Sequence, residues 1–318
     1  MDFKDLDYFR TKDDIFFLVK GYYHPSNKVF AYPVFWPDKK GDRFHQKLKR
    51  AFRKDTSDID NAKIFKLYPH YRHSFVPQNI PLIPKNEIIE IFRPQEKLKD
   101  FLKKERKTIW FKVYEVICQK RRIPSQDIGI FGSYLVGLSK TQKGKQVKDI
   151  DFAVYGIKNC QKLKNNIGKI LESLKAKPIS KDHITYHAQK FGLKFNPKIN
   201  SFNKTLSRKW SALQLRKGLL STIRFIYKNS EIPSNPITSS IKCRFQIQGK
   251  VLDDFGTNFM PRTFIIQKNN KKYNVVTYFW GFQEAVKNKD LVLITGNLHQ
   301  DGKTISIDDI NHGIKILN

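Results

Sequence analysis

Two short apolar runs sit in the middle of the chain, DIGIF at 127–131 and DIDFAVY at 149–155, and each is cut off by a glycine. Runs of this length bounded by Gly read as buried strands. The first stops at Gly132-Ser133, and YLVGL beyond it is expected to continue as a helix. Ahead of the first strand, Leu98, Phe101, Leu102, Ile109, Val113, Val116 and Ile117 recur at helical spacing between Gln95 and Arg122, and KLKNNIGKILESL after the second strand reads as another helix. The order strand, helix, strand, helix makes the middle of the chain α/β, a mixed sheet with helices.

The flanks differ. Residues 14–36, DIFFLVKGYYHPSNKVFAYPVFW, read as two β-rich runs joined by the turn formers of HPSNK. Pro69, Pro77, Pro81, Pro84 and Pro94 then forbid helix and predict an extended connector. After the linker-like IPSNPITSS, the segments KCRFQIQGKVLDDF, TFIIQ, KKYNVVTYFWGF, DLVLITGNL and KTISIDDI read as five short strands of a small barrel. The predicted division is an N-terminal β-rich module over 1–80, an α/β domain over 95–230 and a β-barrel over 240–318.

Sixty Lys and Arg against 29 Asp and Glu leave a net charge of +31 on 318 residues. Either the basic surface is merely solvated, or the partner is a polyanion whose phosphates exchange counterions for Lys and Arg; we favour the second. No apolar run is long enough to span a bilayer, so no membrane partner is expected. Cys118, Cys160 and Cys243 lie far apart without metal-ligand spacing, and the polar N-terminus is unlike a secretory signal. A cytoplasmic protein is expected.

The chemistry concentrates in FGSYLVGLSKTQKGKQVKDIDFAVYG. Two Asp at positions i and i+2 of a strand face the same way, so Asp149 and Asp151 can share metal ions while Ile150 and Phe152 face the core. Gly132 permits close approach of a phosphate, and Ser133 with the following amides can cradle its oxygens. A strand ending in Gly-Ser, followed by Asp-x-Asp on a second strand, resembles the signature of the DNA polymerase β-like nucleotidyltransferases. The gap, residues 134–148, is slightly longer than is usual there. GYYHPSNKVFAYPVFWP, the Pro-rich connector and this motif together are similar to the archaeal group called predicted nucleotidyltransferases.

That resemblance implies transfer of a nucleoside monophosphate from an NTP to a hydroxyl acceptor by two-metal catalysis, with Mg²⁺ or Mn²⁺ held by Asp149 and Asp151 and the β- and γ-phosphates held at Ser133. It also implies a third carboxylate on a later strand. Between Phe152 and Ser230 the only acids are Glu172 and Asp182, and Asp182 is the preferred candidate because it precedes the strand-like HITYHAQ. His183 and His187 stand four apart there, but the β-rich residues between them argue against a metal pair.

The same stretch holds 17 Lys and Arg. SRKWSALQLRKGLLSTIRFIY reads as a helix carrying Arg208, Lys209, Arg216, Lys217 and Arg224 about a stripe of Leu213, Leu220 and Ile223. Arg208, Lys209 and Lys217 are therefore candidate nucleotide-binding residues, with a solvated face as the alternative. The C-terminal strand pattern, with a helix-like FQEAVKN before its fourth strand, resembles an OB-fold. It makes Arg262, Tyr278 and Trp280, with Phe259 and Tyr273, candidates to meet nucleic acid, unless they fill the barrel core. The rival expectations are a non-catalytic nucleic-acid-binding protein with a degenerate nucleotidyltransferase domain, and an enzyme that modifies a protein or a small molecule.

Overall fold

The fold is known from a computed structural model, which describes residues 2–54, 62–141, 143–144, 149–185, 200–215 and 219–318. The chain forms two compact units that interleave in sequence. The first takes Met1–Ser57, Leu82–Pro178 and Trp210–Glu231; the second takes Asp58–Pro81, Ile179–Lys209 and Ile232–Asn318.

The first unit contains two sheets. The larger holds β1 (Tyr8–Thr11), β2 (Phe16–Val19), β3 (Lys28–Pro37), β4 (Arg43–His45), β5 (Arg50–Lys54), β6 (Leu82–Pro84) and β7 (Ile88–Phe92). Its order is β4-β5-β3-β2-β1-β7, with β6 also paired to β3, and every pairing is antiparallel. The aromatic residues of the β-rich runs make its core: Phe9 stacks on Phe17 with centroids 5.3 Å apart, and Phe16 meets Phe52 edge-on at the same distance. The segment read as a connector joins this sheet, because Leu82, Ile83 and Ile88–Phe92 can pair while the prolines fall at strand ends.

The smaller sheet is built from β8 (Ile128–Phe131), β9 (Asp151–Tyr155), β10 (Lys177–Pro178), β11 (Ala212–Gln214) and β12 (Leu220–Ile226), in the order β10-β11-β12-β9-β8. Strand β9 is antiparallel to β8 and parallel to β12. The predicted helices appear at Pro94–Lys104 and Ile109–Tyr114, the latter running into a wider turn at Glu115–Gln119, and at Ile157–Asn165 and Ile167–Leu174. Pro94 opens the first of these at a position where its missing N–H costs nothing. Phe101 from that helix packs edge-on against Phe152 of β9 at 5.6 Å.

Three local expectations are corrected here. Residues 132–137 form consecutive turns rather than a helix; Gly132 and Gly137 both take φ +73°, and the Leu138 N–H closes the segment on the Ser133 carbonyl at 2.8 Å. The stretch from Ser207 to Tyr227, read as a helix, supplies β11 and β12 instead. Its buried residues in β12, Ser221, Ile223 and Phe225, alternate with Leu220, Thr222 and Arg224, so the period is two and the helical stripe was coincidental. The N-terminal β-rich module and the α/β part, read as separate domains, share one unit. The returning strand is locked by a polar knot in which Lys228 Nζ and Asn159 Nδ2 donate to Asp127 at 2.6 and 3.0 Å, while Glu231 accepts from the Ile157 N–H at 3.0 Å.

In the second unit the C-terminal region is a closed five-stranded β-barrel. Strands β13 (Ile241–Asp253), β14 (Arg262–Lys268), β15 (Lys271–Thr277), β16 (Leu291–His299) and β17 (Thr304–Ile307) pair in the ring β13-β14-β15-β17-β16-β13, with β15 and β17 parallel; β18 (Gly313–Ile316) adds to β16. The helix expected over FQEAVKN does not form: a single short turn at Trp280–Phe282 ends where it would begin, and residues 283–288 are turn and irregular backbone. A core place in the barrel is filled from outside the expected domain: Phe202, on the helix Phe202–Ser207, is 6 % exposed, lies in the barrel's hydrophobic core and stacks on Phe282 at 5.6 Å. Asn200 and Ser201 tie this segment to β18 through the Ile314 and Ile316 amides, both at 3.1 Å.

Two predictions follow from these contacts. Phe202→Ala removes a buried aromatic from the barrel core and is expected to destabilise the barrel by about 3–5 kcal/mol in urea unfolding, though Phe202 lies far from the barrel strands in sequence. Asp7 is 3 % exposed and accepts from the Lys4 N–H at 3.0 Å; burial pushes its carboxyl up to about 7. Because the folded protein holds that proton more tightly than the unfolded chain, this stability is fully present below about pH 4 and is lost as pH rises toward 7. Asp7→Asn keeps an acceptor for Lys4 and should remove that loss, on the order of 4 kcal/mol at most, in melts recorded from pH 4 to 8.

Candidate functional site

The parallel pairing of β9 with β12 sets which side chains share a face. Asp149 bridges Leu220, and the pairing Phe152–Ile223 places Thr222 beside Asp151 and Arg224 beside Ala153. The alternate residues Ile150, Phe152, Ser221 and Ile223 are buried, whereas Asp149, Asp151, Leu220, Thr222 and Arg224 are half-buried. The two carboxylates therefore lie on one face, as the i, i+2 spacing predicts. The Thr222 N–H donates to Asp151 Oδ1 at 3.1 Å, and Ser221 Oγ donates to the Ile150 carbonyl at 2.9 Å, so β12 fixes both the strand and one carboxylate oxygen.

The other oxygen of Asp151 faces the Gly-Ser turn. Phe131 pairs with Asp151 across β8 and β9, and a Cβ on Gly132 would stand 3.0 Å from Asp151 Oδ2. Gly132 thus meets two requirements at once, a left-handed φ and an approach that a Cβ would crowd unless the Asp151 carboxylate gave way. Ser133 beside it is 8 % exposed. The far end of the turn is backed by the larger sheet: the Phe44 N–H donates to the Lys140 carbonyl at 3.0 Å, and His45 Nε2 lies 3.2 Å from where a Gly137 Cβ would be.

Burial is the main force on Asp151, followed by the nearby Asp149, and together they push its carboxyl up to about 6; Lys54, Arg224 and the Thr222 N–H act in the opposite direction. Tyr8 of β1 also borders the site. Its hydroxyl is held well above the usual tyrosine range by burial and then by the Asp151 charge, so it remains a neutral hydrogen-bonding group. Lys54, Tyr8 and Thr222 have no signal in the sequence, since each arrives from a distant strand. Arg224 was visible as a cation but was assigned to a helix face.

Other candidates fall elsewhere. Asp182 is exposed in a helical stretch over 181–185, not before a strand, and belongs to the second unit; the described part of HITYHAQ is helical, and His187 lies outside the described residues. Glu172 is exposed on its helix. No acid occurs on β12, where a third carboxylate would adjoin the pair, and among the described residues no group of three or more metal-ligating side chains forms. Arg208 and Lys209 also belong to the second unit. The Arg208 fork grips the buried Asp290 carboxylate, and Lys209 Nζ donates to the Trp280 carbonyl at 3.5 Å. Lys217 lies outside the described residues. Arg262 is 3 % exposed and donates to the Thr257 carbonyl at 3.0 Å and to Gln283 Oε1 at 3.2 Å, while Phe259, Tyr273 and Tyr278 are buried, Tyr273 in the barrel's hydrophobic core, so none of the four presents an open base-stacking surface. Trp280 is half-buried.

Two carboxylates on one face, one of them with an oxygen turned to a glycine turn, fit a Mg²⁺ ion that completes its shell with water and phosphate oxygens. They do not by themselves provide the ligands for a pair of such ions. Family models, curated proteins and solved structures contain no match to this chain.

Gly132 and Gly144 both adopt a left-handed φ, but a Cβ on Gly144 would meet nothing within 4 Å. Gly132→Ala is therefore expected to lose on the order of 1–3 kcal/mol and measurably more than Gly144→Ala, the difference reporting the contact with Asp151. Paired thermal melts check this, and equal losses would show that the carboxylate exerts no constraint on the turn.

Proposed function

We propose that the chain is a metal-dependent nucleotidyltransferase of the DNA polymerase β-like kind, which transfers a nucleoside monophosphate from an NTP to a hydroxyl of nucleic acid. The observation that carries this reading is the closeness of the Gly132-Ser133 turn to Asp151, which joins a glycine turn to a carboxylate pair. Asp149 and Asp151 would hold Mg²⁺ or Mn²⁺, which when bound supplies charge neutralisation for the phosphates. Ser133 and the turn amides orient the triphosphate. In the transfer, the acceptor oxygen forms a bond to the α-phosphorus, the bridge to the β-phosphate breaks, and pyrophosphate leaves. The closed barrel, with its five-stranded ring order, supports an OB-like module that would hold the nucleic acid, in keeping with the +31 charge.

A second reading is favoured by one specific observation. Where the later strand lies beside the pair it carries Leu220, Thr222 and Arg224, none of them an acid. On that ground the site binds nucleotide without turning it over, and the protein serves as a nucleic-acid-binding module.

Each of the four α-³²P NTPs, with Mg²⁺ or Mn²⁺, should be offered with tRNA, single-stranded RNA, single-stranded DNA and the protein itself as acceptors. Label that appears on a nucleic acid and vanishes in Asp149→Ala/Asp151→Ala is the expected outcome. Absence of label on every acceptor, together with salt-sensitive nucleic-acid binding by the wild type, would favour the binding-module reading.

A further inference from the structure

Resting on the nucleic-acid partner proposed above, we propose that a basic patch of the first unit, formed by Lys120, Arg121, Arg122, Lys158 and Lys162, docks the phosphate backbone of a base-paired stretch of the acceptor. Two segments build it. Residues 119–126, QKRRIPSQ, leave the wider turn at Glu115–Gln119 and lead into β8, and residues 156–171, GIKNCQKLKNNIGKIL, follow β9. The helix Ile157–Asn165 is tied to the approach to β8 at two points: Asn159 Nδ2 donates to Asp127 at 3.0 Å, and Lys162 Nζ donates to the Arg122 carbonyl at 3.3 Å. Both segments belong to the first unit, so the patch is one surface.

Together the two segments carry seven Lys and Arg and no Asp or Glu, in a chain that has about one acid for every two cations. Lys120, Arg122, Lys158 and Lys162 are exposed, Arg121 is half-buried with its Nε shielded and without an acceptor, and none of the five makes an ion pair among the described residues. The helix Pro94–Lys104 shows the ordinary alternative, a solvated face: Glu96 and Asp100 interleave with its lysines, and Lys97 pairs with Asp100 at 3.1 Å. Lys158 and Lys162 instead stand four apart on one helix face, where like charges repel each other. Negative charge from outside relieves what the chain here leaves uncompensated.

The chemistry of the patch selects its occupant. Neither segment contains Phe, Tyr or Trp, so the two offer no platform on which unpaired bases could stack. They offer cations to phosphates, which suits a duplex, whose backbone lies outside its paired bases. The position fits the same partner. Asn159 Nδ2 also meets the Tyr155 carbonyl at 2.7 Å, so the start of the helix adjoins that end of β9, whereas Asp151 lies at the other end, against Phe131. The length of β9, about 13 Å, separates the two ends. The patch therefore meets a polymer beyond the carboxylate pair rather than the triphosphate held at it.

The test uses the full chain and fluorescence anisotropy, with a labelled blunt duplex of about 20 base pairs and a single strand of the same length as probes, each as RNA and as DNA. Lys120→Glu/Lys158→Glu changes two exposed side chains and leaves the contact of Lys162 with Arg122 in place. It should weaken duplex binding by about tenfold or more, flatten the dependence of that binding on salt, and change single-strand binding by less than about threefold. Lys99→Glu/Lys103→Glu, which makes the same charge change on the helix Pro94–Lys104, should stay within about threefold of the wild type on every probe and so controls for the general field of a +31 protein. Matching melting temperatures would show that the variants fold; if a double change does not, Lys158→Gln against Lys99→Gln reads the same comparison on a smaller scale. Duplex binding by the patch variant that is no weaker than that of the control would overturn the docking role and leave the nucleic-acid reading intact. An equal loss on the single strand would overturn the choice of a duplex. A wild type that binds none of the probes would overturn the nucleic-acid partner, and the patch with it.

Discussion

The hydrogen bonds that Ser221 and Thr222 make to Ile150 and Asp151 join residues 71 positions apart, and the rest of the first unit depends on them. Strand β9 is short and begins on an acid, Asp151, with Asp149 just before it, so by itself it would be a poor strand. It becomes an interior strand of the sheet because β8 pairs on one side and β12 on the other, and β12 arrives only after the chain has contributed residues 179–209 to the second unit. The carboxylate face, the glycine turn and the polar knot at Asp127 are all set by that late return. Contacts of such long sequence separation make the loop-closure cost of this unit high and its assembly slow relative to a helical bundle of similar size.

Burial and charge oppose each other at the same place. Asp151 is kept where water is scarce and a second carboxylate is near, both of which disfavour its ionised form, and the site relieves this with one backbone N–H and two cations rather than by opening to solvent. Such an arrangement is already arranged to respond to a bound ion, because positive charge placed there meets a carboxylate that the fold itself has made costly to ionise. Tyr8 of the larger sheet, buried and kept neutral in part by the Asp151 charge, adds no charge of its own.

How much of this was legible in the sequence follows from the range of the interactions. The strand and Asp-x-Asp patterns at 128–155 are local, and so are the five barrel strands, whose alternation survives in the sequence because each has one face in the core. The segment 207–227 misled because Leu213, Leu220 and Ile223 happen to fit a helical stripe, while the decisive signal, the alternation of Ser221, Ile223 and Phe225, occupies only seven residues of strand. Arg262 and Tyr278 carried the composition of a nucleic-acid surface, but a folded interior uses the same residue types, and both are buried, with Arg262 donating to the Thr257 carbonyl.

The interleaving of the two units bears on how the protein could be divided or could have been put together. No single cut separates them: the fragment that begins at Ile232 keeps all the barrel strands but leaves behind the helix that brings Phe202, and the fragment that ends at Glu231 keeps the first unit whole while carrying pieces of the second. The barrel therefore cannot be treated as a cassette that was appended to the chain or could be exchanged for another. Along the chain, residues 179–209, which serve the second unit, stand between two segments that build the site-bearing sheet of the first.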